Sequence, residues 1–262
     1  MVDEMGTLET VLFAWHTPEI GVMTLNRPEA GNSFSAGLRR DVAAVARDVR
    51  GREGMKALVI TGAGRLFCAG MDLKEQNRGS GAIWDLREAL DLIEELPFPV
   101  IAAINGASMG GGTELALACD FRVMARGAKM GLPEIKFGTL PAAGGPQRLL
   151  RTVGIPNAKW LVMSGEPIDA AEAYRIGLVD EVAEDGEALS AALARAEKLA
   201  ERAAYALRAA KLAINRGASG SQADGLMFEY ELITKMATPE ESAAERRKAA
   251  ERDATYGKIF GR

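Results

Sequence analysis

Histidine and cysteine are scarce in this sequence, which has one histidine, His16, and two cysteines, Cys68 and Cys119, among 262 residues. A zinc site built from several histidines is therefore excluded. The two cysteines lie far apart and match no metal-binding spacing, so we expect no metal site and no disulfide scaffold, and a reducing compartment is favoured. Proton transfer must depend mainly on carboxylates, or on lysine, tyrosine, cysteine or the one imidazole.

The sequence also lacks an excess of positive charge and a long apolar run. Its 32 Lys and Arg against 36 Asp and Glu give a net charge of -4, so no strong positive field is present to bind nucleic acid or an anionic membrane. No stretch approaches the roughly 20 apolar residues that span a bilayer. The acidic start Met1-Val2-Asp3-Glu4-Met5 does not resemble a targeting signal. We expect a cytoplasmic protein without nucleic-acid or membrane partners.

The first 155 residues alternate short apolar runs with longer amphipathic segments, which predicts an α/β fold. With 48% apolar residues, the chain can bury a large core. The predicted strands are Val11–Trp15, Val22–Leu25, Ala57–Ile60, Val100–Ile104 and Phe121–Ala125. The predicted helices between them are Ser35–Val49, Ile83–Leu96 and one that begins at a glycine triplet, residues 110–112, and continues to Cys119.

After about residue 186 the sequence becomes rich in Ala, Arg, Glu and Lys, with few β-branched residues. This change predicts a core domain over residues 1–186 and a helical region over residues 187–262. Helices are predicted at 187–202, 205–215, 221–237 and 239–256. The helical region could pack on the core as an appendage or form an oligomerisation layer, and the residue pattern leaves both open.

Two glycine-rich elements resemble signatures of other enzyme classes. Residues 61–67 start like a dinucleotide-binding fingerprint, but Phe67 occupies the third glycine position and no acidic strand end follows. Gly106-Ala107-Ser108-Met109-Gly110 has the pattern of a nucleophile elbow. An α/β-hydrolase needs a histidine after that serine, and the only histidine precedes it. A nicotinamide-dependent enzyme and a serine hydrolase are therefore both disfavoured.

The triplet Gly110-Gly111-Gly112 and two glutamates are the best candidates for chemistry. Glycines at a helix start cost on the order of 1 kcal/mol each, which indicates that another group must approach the backbone there. The free N–H groups and the helix dipole would stabilise a carbonyl oxygen that gains negative charge. Glu114 follows the triplet. Glu134 lies between apolar neighbours in the loop 131–135, where burial would raise its pKa and suit it to acid–base work.

These elements resemble the crotonase family, also called the enoyl-CoA hydratase/isomerase superfamily. The resemblance covers about residues 10–182. Its motifs are Leu25-Asn26-Arg27-Pro28, Phe67-Cys68-Ala69-Gly70-Met71-Asp72-Leu73, the segment 99–106, Gly110-Gly111-Gly112-Thr113-Glu114, Gly131-Leu132-Pro133-Glu134, Gly144-Gly145-Pro146-Gln147-Arg148-Leu149 and the segments 165–173 and 177–179.

The resemblance implies a spiral of ββα units with a C-terminal helical region that builds homotrimers, commonly paired into hexamers. It implies acyl-CoA thioester substrates and a place in fatty acid metabolism. The thioester oxygen would be held by the backbone N–H groups of Met71 and Gly111. The residues implied in substrate binding are Arg27, Arg65, Ala69, Asp72, Leu73 and Ala142.

The resemblance favours an enoyl-CoA hydratase, a lyase, because the family's two-glutamate hydratases carry both Glu114 and Glu134. In the family's usual assignment Glu114 activates water and Glu134 exchanges the proton at Cα of a 2-enoyl thioester, without metal or organic cofactor. The alternatives are an enoyl-CoA isomerase, a hydratase or dehydratase of a specialised acyl-CoA, and a non-catalytic RNA-binding relative. The two retained glutamates and the negative net charge disfavour the last.

Two departures from the family pattern limit what the resemblance implies. In Pro141-Ala142-Ala143-Gly144-Gly145, Ala142 replaces a glycine that lines the site in the family. This leaves the length and branching of the acyl chain open. The C-terminal segment, which ends Tyr256-Gly257-Lys258-Ile259-Phe260, also differs from the family pattern, so no contact with the CoA phosphates is assigned to it.

Overall fold

The structure is a computed structural model, and it describes residues 8–75 and 81–252. Its strands are β1 (Val11–Thr17), β2 (Ile20–Leu25), β3 (Ala57–Gly62), β4 (Val100–Ile104), β5 (Ser108–Met109), β6 (Phe121–Ala125), β7 (Lys129–Gly131), β8 (Ile168–Asp169) and β9 (Glu181–Ala183). Its helices are α1 (Ala36–Arg50), α2 (Gly81–Glu94), α3 (Gly111–Ala118), α4 (Gly145–Ser164), α5 (Ala170–Arg175), α6 (Ala188–Ala200), α7 (Ala204–Ser219), α8 (Gln222–Lys235) and α9 (Pro239–Arg252).

The main sheet has the strand order β1-β2-β3-β4-β6-β9. The hairpin β1–β2 is antiparallel, and each later neighbour pairs in parallel. Strands β3 and β4 are buried at every position, as expected for central parallel strands covered on both faces. Alternate residues contribute to different core clusters: Leu58 and Ile60 belong to the larger one, and Ala57 and Val59 to the smaller. The predicted α/β fold class is confirmed.

The predicted strands and helices of the first 125 residues are present, with ends that differ by a few residues. The hairpin β1–β2 pairs Val11 with Leu25. Helix α1 begins after Ser35, whose side chain accepts a hydrogen bond from the Leu38 N–H, as an N-cap residue should. The short strands β5, β7 and β8 form a second sheet that the sequence does not predict, because strands of two or three residues carry no periodic signal.

Helix α4 is a further element that the sequence does not predict. Its N-terminal flank is rich in glycine, Gly154 has non-helical angles (φ 75°, ψ 166°) inside it, and Pro156 follows that break. Glycine and proline both interrupt the helical pattern in the sequence. The structure nevertheless forms a kinked helix, and its first turn contributes directly to the candidate site described below.

The chain divides into two compact units after Ala200, one helix later than the predicted boundary at residue 186. Helix α6 belongs with the first unit because it packs on β3, β4 and β6. The second unit contains α7, α8 and α9, with α7 packed against α8. The end of the last predicted helix beyond Arg252 and the segment 256–260 lie outside the described residues. Within the described ranges, no helix is both long enough and apolar enough to cross a membrane.

Candidate active site

The N-terminus of α3 is built so that other groups can approach its backbone closely. Gly110 precedes the helix with φ 53° and ψ -123°, angles that a residue with a side chain rarely adopts. A Cβ on Gly112 would overlap the carbonyl oxygen of Cys68. Among the described residues, nothing accepts a hydrogen bond from the Gly111 N–H. The predicted use of the triplet for close backbone approach therefore has a geometric basis.

The loop that contains Met71 lies beside the start of α3 and provides a second N–H group without an acceptor among the described residues. Gly70 has φ 99°, and a Cβ at that residue would stand 3.5 Å from the Gly111 nitrogen. Phe34 anchors the loop, because its N–H donates to the Gly70 carbonyl at 2.8 Å and its carbonyl accepts from the Asp72 N–H at 3.2 Å. These two bonds flank Met71, whose own N–H has no acceptor among the described residues. The structure thus brings the Met71 and Gly111 segments together.

Glu114 lies on α3, one turn from the triplet, and is 3% exposed. Its Oε1 accepts hydrogen bonds from the Ala143 N–H at 2.9 Å and the Gly145 N–H at 2.8 Å. Burial raises the pKa of this carboxyl above its ordinary value, while the two N–H groups and the charge of Arg148 act in the opposite direction. The carboxylate is therefore buried but supplied with donors that stabilise its anionic form.

Glu134 approaches the same helix start from the segment Pro133–Phe137, which forms a 3-10 turn. Its Oε1 lies 2.8 Å from where a Cβ on Gly110 would stand. The pKa of Glu134 is raised to about 7, chiefly by burial and also by the negative charge of Glu114, while a hydrogen bond to its own backbone acts in the opposite direction. Its Oε2 is buried and has no hydrogen-bond partner among the described residues. Two carboxylates in different environments therefore lie beside one helix N-terminus.

The hydroxyl of Thr113 joins the Glu134 segment to α3. It lies 2.7 Å from the Ser108 carbonyl and 2.9 Å from the Gly131 carbonyl. The Gly110 N–H also donates to the Gly131 carbonyl, at 2.9 Å. The Ser108 hydroxyl is fully buried and has no hydrogen-bond partner among the described residues. It is not an accessible nucleophile, in agreement with the sequence argument against a serine hydrolase.

The predicted substrate-binding residues occupy different environments. Arg27 forms an ion pair with Asp72 at 3.1 Å and donates to the Ser33 carbonyl at 2.6 Å, so this guanidinium braces the loop that contains Met71. The side chain of Arg65 is exposed and has no hydrogen-bond partner in the described part of the chain. The other exposed members of the set are Ala69, Leu73 and Ala142.

Three parts of the site carry roles that the sequence does not predict. The N–H groups of Ala143 and Gly145 hold Glu114, and Arg148 contacts the same loop. The quoted motif over residues 144–149 contains Gly145 and Arg148, but a motif does not show which carboxylate its backbone faces. The sequence feature that could have indicated these roles is an arginine one turn after a glycine-rich helix start.

In the described ranges, no three His, Cys, Asp or Glu side chains cluster as metal ligands would.

Comparisons with known proteins show which family the chain belongs to. The family model for enoyl-CoA hydratase/isomerase matches residues 16–256. The enoyl-CoA isomerase/hydratase fer4 of Mycosarcoma maydis is 40% identical over 222 residues, which cover 79% of this chain and 81% of the relative. The chain belongs to the enoyl-CoA hydratase/isomerase family. The sequence resemblance to crotonases is thereby confirmed.

Other relatives of this family member support the same assignment. The probable enoyl-CoA hydratase echA8 of Mycobacterium bovis is 37% identical over 240 residues, covering 90% of this chain and 93% of the relative. The crystal structure of an enoyl-CoA hydratase from Bacillus anthracis superimposes with a TM-score of 0.88 at 35% identity, covering 93% of this chain and 96% of that one. The crotonase fold class is therefore confirmed as well.

Proposed function

We propose that this family member is an enoyl-CoA hydratase, which adds water across the 2,3 double bond of a 2-enoyl-CoA thioester. The observation that supports this most directly is the pair of glutamates in unlike surroundings beside the N-terminus of α3. Hydration needs both a base for the water and an acid for the α-carbon. Two carboxyl groups in different environments can divide these roles without a metal.

The hydrogen bonds support a division of roles between the two glutamates. The Oε1 of Glu114 accepts two backbone N–H groups, which favour the ionised form. Glu134 has a pKa of about 7 because of its burial, so a large fraction carries a proton at neutral pH. Glu114 therefore takes a proton from water as the hydroxyl oxygen bonds to Cβ. Glu134 gives its proton to Cα, and both carboxyls return to their starting states by proton exchange.

The thioester oxygen gains negative charge while this addition proceeds. The N–H groups of Met71 and Gly111 have no protein acceptor among the described residues and lie on adjoining segments, so we assign them as the oxyanion hole. The exposed residues Arg65, Ala69 and Leu73 are the proposed contacts for the CoA portion, and Ala142 for the acyl portion. Arg27 and Asp72 form an ion pair that stabilises the loop containing Met71. Both residues therefore remain proposed neighbours of the substrate.

Two isosteric variants test the division of roles. Glu114→Gln and Glu134→Gln should each lower kcat by about 10²–10⁴-fold, since each removes one acid–base group. Binding of a saturated acyl-CoA, measured by calorimetry, should change little because neither glutamate contributes an oxyanion donor. Glu95→Gln is the control, because Glu95 is exposed and pairs with Arg50. Full hydratase activity in either active-site variant contradicts the two-glutamate mechanism.

An enoyl-CoA isomerase is the second candidate, and the combined name of the fer4 relative supports its consideration. Isomerisation moves a proton between Cα and Cγ, for which one carboxyl such as Glu134 suffices. Incubation with a straight-chain 2-enoyl-CoA separates the two by product analysis. We expect the 3-hydroxyacyl-CoA as the main product, and a 3-enoyl-CoA formed without net water uptake would favour the isomerase.

We also propose that the chain assembles as a homotrimer or hexamer through its C-terminal helical region. Several large apolar side chains of α8 are exposed in the single chain, including Leu226 (58%), Met227 (65%) and Tyr230 (68%). An apolar helix face of this kind is typical of an association surface. Light scattering coupled to gel filtration tests the assembly, and a monomer at micromolar concentration would contradict it.

A further inference from the structure

The backbone donors that hold Glu114 belong to a loop that needs support of its own. Ala143 and Gly145 direct their N–H groups at the same carboxylate oxygen. Gly144 lies between them with φ 104°, in the left-handed region that glycine tolerates best. Glycine favours no single conformation in a free chain. A contact from outside the loop is therefore needed to keep both N–H groups aimed at Glu114.

Arg148, in the first turn of α4, supplies that contact. Its Nη1 donates to the Ala143 carbonyl at 2.8 Å, on the peptide unit next to the one that binds Glu114. Its Nε and Nη2 donate to Oε2 of Glu94 at 3.0 and 2.7 Å, and Nη2 also donates to Oδ1 of Asp91 at 2.6 Å. The side chain is 11% exposed. Arg148 thus joins α2 to the loop with all three of its nitrogens engaged.

We propose that Arg148 is a positioning residue for Glu114, which it serves by fixing the loop whose N–H groups hold that carboxylate as the base. The proposal rests on the proposed role of Glu114 as the base in hydration. Arg148 is not itself a catalytic residue. Its side chain contacts the Ala143–Gly145 backbone, and that backbone in turn contacts Glu114. It acts through hydrogen bonds that begin on α2 and end on α3.

The geometry favours positioning over a direct effect of charge. The charged groups near Glu114 are Arg148 from α4 and Glu134 from the 3-10 turn, and Asp91 and Glu94 of α2 lie behind Arg148. The charge of Arg148 is itself paired with Asp91 and Glu94, and Asp91 also pairs with Arg87. The two N–H groups, in contrast, touch the Glu114 oxygen and lower its pKa more than the Arg148 charge does. Loss of Arg148 should therefore act chiefly by releasing the loop.

Arg148→Met tests the proposal, with Arg151→Met as the matched control on the exposed side of the same helix. The substitution removes the donor to the Ala143 carbonyl, so the loop should hold its N–H groups less firmly against Glu114. Glu114 should then be harder to ionise and less precisely oriented toward the water. We expect kcat to fall about 10–100-fold with little change in KM. The acidic limb of the pH profile of kcat/KM should move to higher pH, while the alkaline limb, set by Glu134, should stay in place. Arg148→Lys should recover part of the loss, because an ammonium group can still donate to that carbonyl.

Two further measurements make the proposal refutable whatever the reaction is. Titration of the Glu114 carboxyl by carbon-13 NMR, assigned with Glu114→Gln, should show a higher pKa in Arg148→Met, and it needs no activity. The double variant Arg148→Met/Glu114→Gln should also have nearly the same kcat as Glu114→Gln alone, because Arg148 acts through Glu114. An unchanged Glu114 pKa in a folded Arg148→Met protein would overturn the proposal.

The possible outcomes separate this proposal from the proposed function. If the wild-type protein hydrates no enoyl-CoA, the hydratase assignment fails, while the NMR titration still decides the role of Arg148. If Arg148→Met does not fold, the titration of Arg148→Lys takes its place, with the same direction expected and a smaller rise. Asp91→Asn separates charge from positioning, because a charge effect predicts a lower Glu114 pKa in that variant. A fall of that kind, together with an unchanged pKa in Arg148→Lys, would refute positioning.

Discussion

Replacing Glu134 with glutamine should remove most of the proposed hydratase activity and yet stabilise the protein at alkaline pH. The carboxyl has a pKa of about 7 in the folded chain, raised from 4.5 chiefly by burial. Below pH 4.5 it is protonated in the folded and unfolded states alike, so it contributes nothing. Between pH 4.5 and 7 the unfolded chain releases the proton that the folded chain keeps, so stability falls as pH rises. Above pH 7 the full penalty is present.

The size of this penalty follows from the change in pKa. A rise of this extent corresponds to about 3 kcal/mol at full strength. Glu134 is only partly buried, and solvent screening reduces the effect to about 1–2 kcal/mol. Glutamine has nearly the same shape and no charge, so Glu134→Gln should recover about 1–2 kcal/mol above pH 7. Below pH 4.5 the difference between the two proteins should disappear.

Urea unfolding at pH 4.5 and pH 8.5, at one fixed protein concentration, measures this difference. The concentration must be fixed because the proposed assembly would contribute to the apparent stability. Glu95→Gln serves again as the control and should show no comparable gain at pH 8.5, because Glu95 is exposed. Equal stability of wild type and Glu134→Gln at pH 8.5 would refute the burial argument for this carboxyl, and with it the reason for assigning it as the acid.

Three glycine variants test the rest of the site. Gly145→Ala would place a Cβ 2.9 Å from the Oε1 of Glu114, so kcat should fall about 10²-fold in a protein of normal circular dichroism. Gly110→Ala would put a side chain at φ 53° and 2.8 Å from the Oε1 of Glu134; it should lose about 1–3 kcal/mol of stability in urea unfolding. Gly111→Ala has ordinary φ, but its Cβ would meet side chains at 3.1 and 3.4 Å. By displacing the oxyanion donor it should lower kcat about 10²–10³-fold, and full activity there would contradict the oxyanion assignment.

Much of the core fold was predictable because its elements are long and periodic. Strands β3 and β4 are continuous apolar runs, and α1 has apolar residues at helical spacing that the structure buries, such as Leu38, Val42 and Val45. Helix α4 was not predictable, since Gly154 and Pro156 remove the pattern while packing of the flanking turns still forms the helix. The boundary at residue 186 differs from the structural one after Ala200 because composition does not show which helix packs on the sheet.

The residues of the candidate site were easier to predict than their environments. Glu114 and Glu134 follow from their motifs, and the glycines around them follow from the need for close approach. The donors to Glu114 depend on Ala143 and Gly145, which lie 29 and 31 positions away along the chain. No local pattern relates residues at that separation. Only the fold shows which carboxylate a distant backbone N–H faces.

The two glutamates differ in their hydrogen-bond partners, and this gives them different chemical roles in the proposed reaction. Both are glutamates beside one helix N-terminus, and burial raises the pKa of each. The helix dipole favours the anionic form of either group, so it cannot divide their roles. What distinguishes Glu114 is the pair of N–H groups from the 141–145 loop, whereas one oxygen of Glu134 has no partner among the described residues. The acid and the base in the proposed reaction are therefore set by backbone hydrogen bonds rather than by residue type, so a change at Arg148, outside the motif that contains Glu114, should alter the base selectively.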